Sequence, residues 1–159
     1  MNSTPTFLIL QSEAETADLA RALGARLRTG DCLVLKGQIG AGKTHFARHL
    51  IQSLLKVPED VPSPTFTLVQ TYDAAAGEIW HADLYRLTSP DEIEELGLAD
   101  AFQTAICLIE WPERLGPLTP ADALTLTFAS RPDAPDSREL SLSWSDAKWD
   151  RILEPLCHA

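Results

Sequence analysis

Apolar residues recur along the chain with two periods, and the switches between them mark out strands and helices in alternation. Thr6-Phe7-Leu8-Ile9-Leu10 reads as a first strand. Ser12 with Glu15 three residues later forms a capping-box pattern. It opens a helix whose apolar face includes Ala20, Leu23 and Leu27, and Gly30 is the expected stop. Residues 31–35 then read as a second strand. Beyond it Ala47, Leu50, Ile51 and Leu54 fall at i, i+3, i+4 and i+7, the stripe of a helix packing one face on a sheet. Pro58 closes this unit.

Val61-Pro62-Ser63-Pro64-Thr65-Phe66 places two prolines around a serine, which excludes helix and predicts an extended loop. Strand-like runs at 67–72 and 78–84 flank a five-residue connection and read as a hairpin. A hairpin directly after the second helix argues for a mixed rather than all-parallel sheet. Ser89-Pro90-Asp91-Glu92 is a helix start, with serine at the N-cap, proline in the first position and acids in the first turn. That helix is expected to end near Gly97. Ala105-Ile106-Cys107-Leu108-Ile109 is a continuous apolar run suited to a strand buried on both faces. Leu124, Leu126 and Phe128 alternate on one late strand, and Leu140, Leu142 and Trp144 on another, around a polar loop at 131–138. Ser145 is the expected cap of a closing helix that turns Trp149, Ile152, Leu153 and Leu156 inward. No repeat, linker or low-complexity stretch interrupts the 159 residues, so one domain over 1–159 is expected.

Composition narrows the function classes. No apolar run exceeds five residues, too short to span a membrane, and the start of the chain lacks the pattern of a signal peptide, so a cytoplasmic location is expected. The net charge is −10, from 23 acidic and 13 basic residues. Nucleic-acid affinity comes largely from Lys and Arg displacing counterions, so strong direct binding of RNA or DNA by this chain alone is not expected. Cys32, Cys107 and Cys157 are far apart and form no C-x-x-C pair, which suits reduced structural thiols.

The candidate chemistry lies at Gly37-Gln38-Ile39-Gly40-Ala41-Gly42-Lys43-Thr44, a G-x-x-x-x-G-K-[ST] pattern between a strand and a helix. Glycines let backbone N–H groups converge on phosphate oxygens, and the following helix offers its positive end. Lys43 would reach the β- and γ-phosphates, and Thr44 would hold Mg²⁺. Such a loop needs a metal-side carboxylate. Asp83 and Glu110 both end apolar strands and both remain candidates from pattern alone. The only asparagine is Asn2, so the N-K-x-D guanine motif is absent and ATP is favoured over GTP by elimination. Thr65 either reaches Mg²⁺ or γ-phosphate as a switch threonine does, or serves ordinary turn chemistry. Arg86 and Arg114 read mainly as surface arginines. His45 and His49 share a helical face without a third ligand nearby, so no metal is expected there. The acidic run 91–95 reads as a solvated face, with partner docking as the minor alternative.

These segments together resemble one family. Gly37 to Thr44 is followed in order by Ser63-Pro64-Thr65-Phe66-Thr67-Leu68-Val69, His81-Ala82-Asp83-Leu84-Tyr85-Arg86-Leu87, Glu94-Glu95-Leu96-Gly97-Leu98 and Leu108-Ile109-Glu110-Trp111-Pro112-Glu113-Arg114. The set resembles the TsaE (YjeE) family of small bacterial P-loop ATPases. The resemblance implies an ATPase needed for repeated turnover by a TsaD–TsaB transferase, which forms N6-threonylcarbamoyladenosine in tRNAs reading ANN codons. It also implies that the chain is not itself the transferase. Lys43 and Thr44 match the family's phosphate and Mg²⁺ residues, Thr65 its switch-like threonine and Asp83 its Walker-B-type acid. Glu110 and Trp111 match a pair important for hydrolysis. Ala82 and His45 depart from the residues common there, and neither change removes a required group.

The expected fold is therefore a three-layer α/β P-loop domain with a mixed sheet, binding ATP and Mg²⁺ and slow to hydrolyse without its partners. A P-loop small-molecule kinase is the alternative. It is disfavoured because the late hairpin holds only Arg131 and Arg138 rather than an arginine-rich lid.

Overall fold

The computed structural model describes residues 6–38, 41–57, 59–64, 67–87 and 89–157. Pro58, the expected end of the first unit, lies outside them. Among the described residues the strands are β1 (Thr6–Leu10), β2 (Cys32–Lys36), β3 (Val69–Ala74), β4 (Gly77–Asp83), β5 (Ile106–Glu110), β6 (Leu124–Ser130) and β7 (Arg138–Ser143). The helices are α1 (Glu13–Gly24), α2 (Lys43–Leu54), α3 (Pro90–Leu96), α4 (Leu98–Thr104) and α5 (Lys148–Cys157). A 3-10 stretch, Pro112–Leu118, is kinked at Gly116.

One sheet holds all seven strands in the order β1-β7-β6-β2-β5-β4-β3. β2 runs parallel to both β5 and β6, and β4 parallel to β5. The pairs β1–β7, β6–β7 and β3–β4 are antiparallel. The mixed sheet expected from the early hairpin is present.

Alternation along the central strands explains the layers. Leu33 and Leu35 of β2, with Ile106 and Leu108 of β5, point to the face covered by Leu23, Leu50, Ile51, Trp149 and Leu153 of α1, α2 and α5. Cys32, Val34, Cys107 and Ile109 point to the other face, under Ile93, Leu98 and Ala101 of α3 and α4. Both faces of β2 and β5 are thus dry, which is why these strands read as continuous apolar runs. Each fully buried Leu or Ile stabilises this arrangement by about 1.5–3 kcal/mol.

Several boundaries differ from the sequence expectation. Ser12 caps α1 as expected, its Oγ accepting from Glu15 N–H at 3.1 Å. The helix nevertheless ends at Gly24, not Gly30. Arg26 and Leu27 donate to carbonyls only three residues back, so the chain tightens into turns while Leu27 stays buried. Gly30 acts later, donating to Ala105 O as the chain enters β2. The first hairpin is tighter than expected, because Ala74 and Gly77 already pair and only Ala75 and Ala76 connect them. Ser89 and Pro90 start α3 and Gly97 ends it in a left-handed conformation. The same glycine starts α4, a helix of two turns too short to show a period of its own. Trp144 lies just beyond β7 and donates to Asp150. Ser145 is not the cap of α5; its hydroxyl donates to Ala121 O, and Asp146 accepts from Lys148 N–H instead.

Cys32 and Cys107 are adjacent in register across β2 and β5, buried and free. Burial raises both thiols, Cys32 well above its ordinary value and Cys107 to about 12. In the unfolded chain both ionise near 9.0, so above that pH the folded state holds protons the unfolded state has lost. Stability must then fall with pH, by about 1.4 kcal/mol per unit for each thiol. Urea unfolding at pH 8 and pH 10 should show a slope that is shallower in the Cys32→Ala/Cys107→Ala double variant.

Candidate functional site

The site is assembled where parallel strands end. β2 ends at Lys36 and passes into the glycine-rich loop, β4 ends at Asp83 and β5 ends at Glu110. Register aligns them, since Leu35 and Asp83 both lie opposite Glu110 on adjacent strands. Open α/β sheets bind ligands outside such carboxyl ends. Here the carboxyl ends of β2, β4 and β5 meet the N-terminus of α2, where the first-turn N–H groups of any helix lack partners from a preceding turn and the dipole end is positive.

Two glycines are required by that geometry. Gly37 has φ +141, and a Cβ there would stand 2.6 Å from Phe128 O of β6. Gly42 has φ +109 and is the residue before α2, so the loop turns into the helix through a left-handed conformation. Ile39 and Gly40 lie outside the described residues, as does Thr65. Gln38 is exposed and Ala41 is buried, its N–H donating to Gln38 O.

Lys43 is 4% exposed, and its Nζ donates to Gly37 O. The same ammonium sits 3.6 Å from the centre of the Trp111 ring. Burial pulls the Lys43 pKa below its ordinary value, against the opposing pull of Glu110, Asp83 and Glu113. Thr44 Oγ1 donates to Glu110 Oε1 at 2.8 Å, so the first turn of α2 is tied to the end of β5. Glu110 is 1% exposed and its second oxygen, Oε2, lies 2.6 Å from His81 Nε2. Asp83 is buried beside it and accepts from Tyr85 N–H.

Trp111 has φ 58 and ψ 55, a left-handed backbone that a tryptophan adopts at a cost of about 1–3 kcal/mol. Pro112 follows and disfavours the right-handed helical region for the residue before it. The outcome is that the Trp111 ring reaches Lys43 and packs on Tyr85, with ring centroids 4.8 Å apart.

A cleft of about 420 Å³ opens over these groups. Lys43, Thr44, Asp83, Glu110 and Trp111 all line it, together with Glu13, Tyr85, Asp136 and Arg138. The sequence reading did not single out these last four as site residues. Arg138 comes from the far hairpin, with its side chain beside Gly42. Arg86 and Arg114 do not line the cleft; Arg114 donates to Tyr85 O. His81 was also missed, although strand alternation puts it on the same face as Asp83 two residues later, a signal the sequence does contain. Residues 61–63 of the loop expected at 61–66 are neither helix nor strand, Pro64 enters a turn, and the exit of the loop is held close to Asp83. Leu68, at φ 71, donates to Pro64 O and accepts from Asp83 N–H. Among the described residues no three of His, Cys, Asp or Glu cluster as a metal site, and His45 and His49 stack edge to face instead. No helix among the described residues is long and apolar enough to cross a membrane.

A glycine loop between a parallel strand and a helix, with a buried lysine and two strand-end carboxylates, defines a protein of the P-loop nucleotide-binding α/β class. The profile of the family described as threonylcarbamoyl adenosine biosynthesis protein TsaE matches residues 10–140. The chain belongs to the TsaE family. It is 45% identical over 120 residues to tRNA threonylcarbamoyladenosine biosynthesis protein TsaE of Rickettsia bellii, covering 76% of this chain and 83% of the relative. The Bacillus subtilis protein of the same name is 32% identical over 143 residues, covering 89% and 87%. A crystal structure of Bacillus subtilis YdiB superposes with a TM-score of 0.77 at 25% identity, over 98% of this chain and 95% of that one.

Gly37→Ala should destabilise the fold by about 1–3 kcal/mol in urea unfolding, from a disfavoured φ and a backbone collision together. Gly30→Ala, at φ +96 with nothing near its Cβ, should cost less, about 1–2 kcal/mol from conformation alone.

Proposed function

We propose that the chain, as one P-loop domain, binds ATP with Mg²⁺ and hydrolyses it in support of threonylcarbamoyladenosine formation on tRNA. The observation that carries this reading is the meeting of Lys43, Thr44, Asp83, Glu110 and Trp111 in one cleft at the start of α2. Four carboxylates line the cleft, Glu13, Asp83, Glu110 and Asp136, against the two cations Lys43 and Arg138. A bare triphosphate would be repelled by that balance. The Thr44 hydroxyl with Asp83 and Glu110 is a set of hard oxygen donors, which suits Mg²⁺ completed by phosphate oxygens and water. When bound, Mg²⁺ would supply neutralisation of charge on the phosphates.

The chain's own groups then divide the work. Backbone N–H groups of the glycine loop and the α2 N-terminus hold phosphate, and Lys43 exchanges Gly37 O for a phosphate oxygen. Trp111 shields that ammonium from water on one side. Thr44 and Asp83 would hold the cation side, and Glu110 beside them orients or deprotonates the attacking water. Thr65 is proposed as the switch residue that contacts γ-phosphate or Mg²⁺; the hydrogen bond between Leu68 and Asp83 supports this by bringing the end of its loop to the site.

Turnover by the isolated chain is proposed to be slow and to rise on assembly with TsaD and TsaB, as the family resemblance implies. The net charge of −10 favours protein partners over direct tRNA binding.

Lys43→Ala should abolish detectable ATP binding in calorimetry while the circular dichroism spectrum is retained; unchanged affinity would contradict the loop's role. Glu110→Gln should lower kcat by about 100-fold or more, with ATP binding retained, whether measured alone or with TsaD–TsaB. A rate for the wild-type chain that is high alone and unmoved by TsaD–TsaB would refute partner control.

A further inference from the structure

Glu110 is the most enclosed carboxylate of the site, and one of its two oxygens contacts a residue outside the cleft lining. His81 is fully buried on β4, and its Nε2 stands 2.6 Å from Glu110 Oε2. Strand register makes the contact specific. Asp83 pairs with Glu110 and His81 with Leu108, so His81 and Glu110 meet diagonally on one face of the sheet. That face is the one α2 covers, and Thr44 at its start takes the other Glu110 oxygen.

We propose that His81 is a positioning residue for Glu110, presenting one carboxylate oxygen to Thr44 and the reacting water by holding the other from behind. An ionised carboxylate only accepts hydrogen bonds, so the ring must turn an Nε2–H toward it. The ring's Nδ1 has no hydrogen-bond partner among the described residues. A buried polar atom left unmatched costs stability, so a purely structural histidine would be poorly suited to this place. Among the described residues the Nε2 contact is the one polar interaction of the ring, and it accounts for a histidine here. Without it the Glu110 carboxylate could rotate about its last torsion, which is broad and soft, and lose the face it offers to Thr44. This role rests on the proposed hydrolysis, because positioning Glu110 matters only if Glu110 acts on water.

The test pairs kinetics with the ring itself. His81→Ala should lower kcat by about 10–100-fold, the range typical when a supporting hydrogen bond is removed. ATP affinity measured in EDTA should stay within about threefold of wild type, because Lys43 and the glycine loop are untouched. His81→Gln, whose amide N–H reaches the place of Nε2, should recover most of the lost kcat. In long-range proton–nitrogen spectra of the nucleotide-free wild-type protein at neutral pH, His81 should carry its proton on Nε2, and its signals should shift in Glu110→Gln. Full kcat in His81→Ala, no recovery in a folded His81→Gln, or a ring protonated on Nδ1 alone would each overturn the proposal. A wild-type chain with no ATP turnover, alone or with TsaD–TsaB, would instead refute the hydrolysis reading. The ring spectrum would still decide whether His81 holds Glu110.

Discussion

A carboxylate that is 1% exposed must be matched on both oxygens, and satisfying Glu110 ties together the parts of this molecule. One oxygen takes the hydroxyl at the start of α2, and the other meets a histidine from β4. The strand that carries Glu110 is itself clamped between β2 and β4. Loop, helix and two strands are thereby locked in one register around a group that would otherwise be costly to bury. A slip of β5 by one residue would turn Glu110 to the opposite face and place Ile109 under α2.

The proposed function asks a strongly acidic protein to hold a phosphate ligand in the surrounding cleft. Under the proposed reading, attraction would come from the backbone of the glycine loop and the end of a helix rather than from a basic surface. Lys43 is kept dry, bonded to Gly37 O and covered by Trp111. Burial lowers its pKa, against the pull of the neighbouring carboxylates. The left-handed backbone of Trp111 is the local cost of placing its ring there.

Much of the fold was legible because it rests on local rules. The Ser12 and Ser89 caps, the stripe of α2 and the unbroken apolar run of β5 each follow from neighbouring residues. The seven-residue α4 was not legible, since two turns give too few positions for a period to emerge. The end of α1 was misplaced because two glycines compete there. Gly24 is packed so closely on Leu50 that a Cβ would lie 3.1 Å from it, a contact that depends on the other helix.

At the site the division is the same. Sequence alone determined the glycine loop, the lysine and threonine that close it, and two strand-end acids, because each is specified by a short pattern or a strand boundary. It left open how the two acids relate. The tertiary structure decided that Asp83 and Glu110 are neighbours in register, that Thr44 and His81 bracket Glu110, and that Tyr85, Asp136 and Arg138 join the cleft. These residues come from strands and loops far apart in the chain. Which of them meet is set by strand order and by the faces that burial selects, and neither is written in any local window of residues.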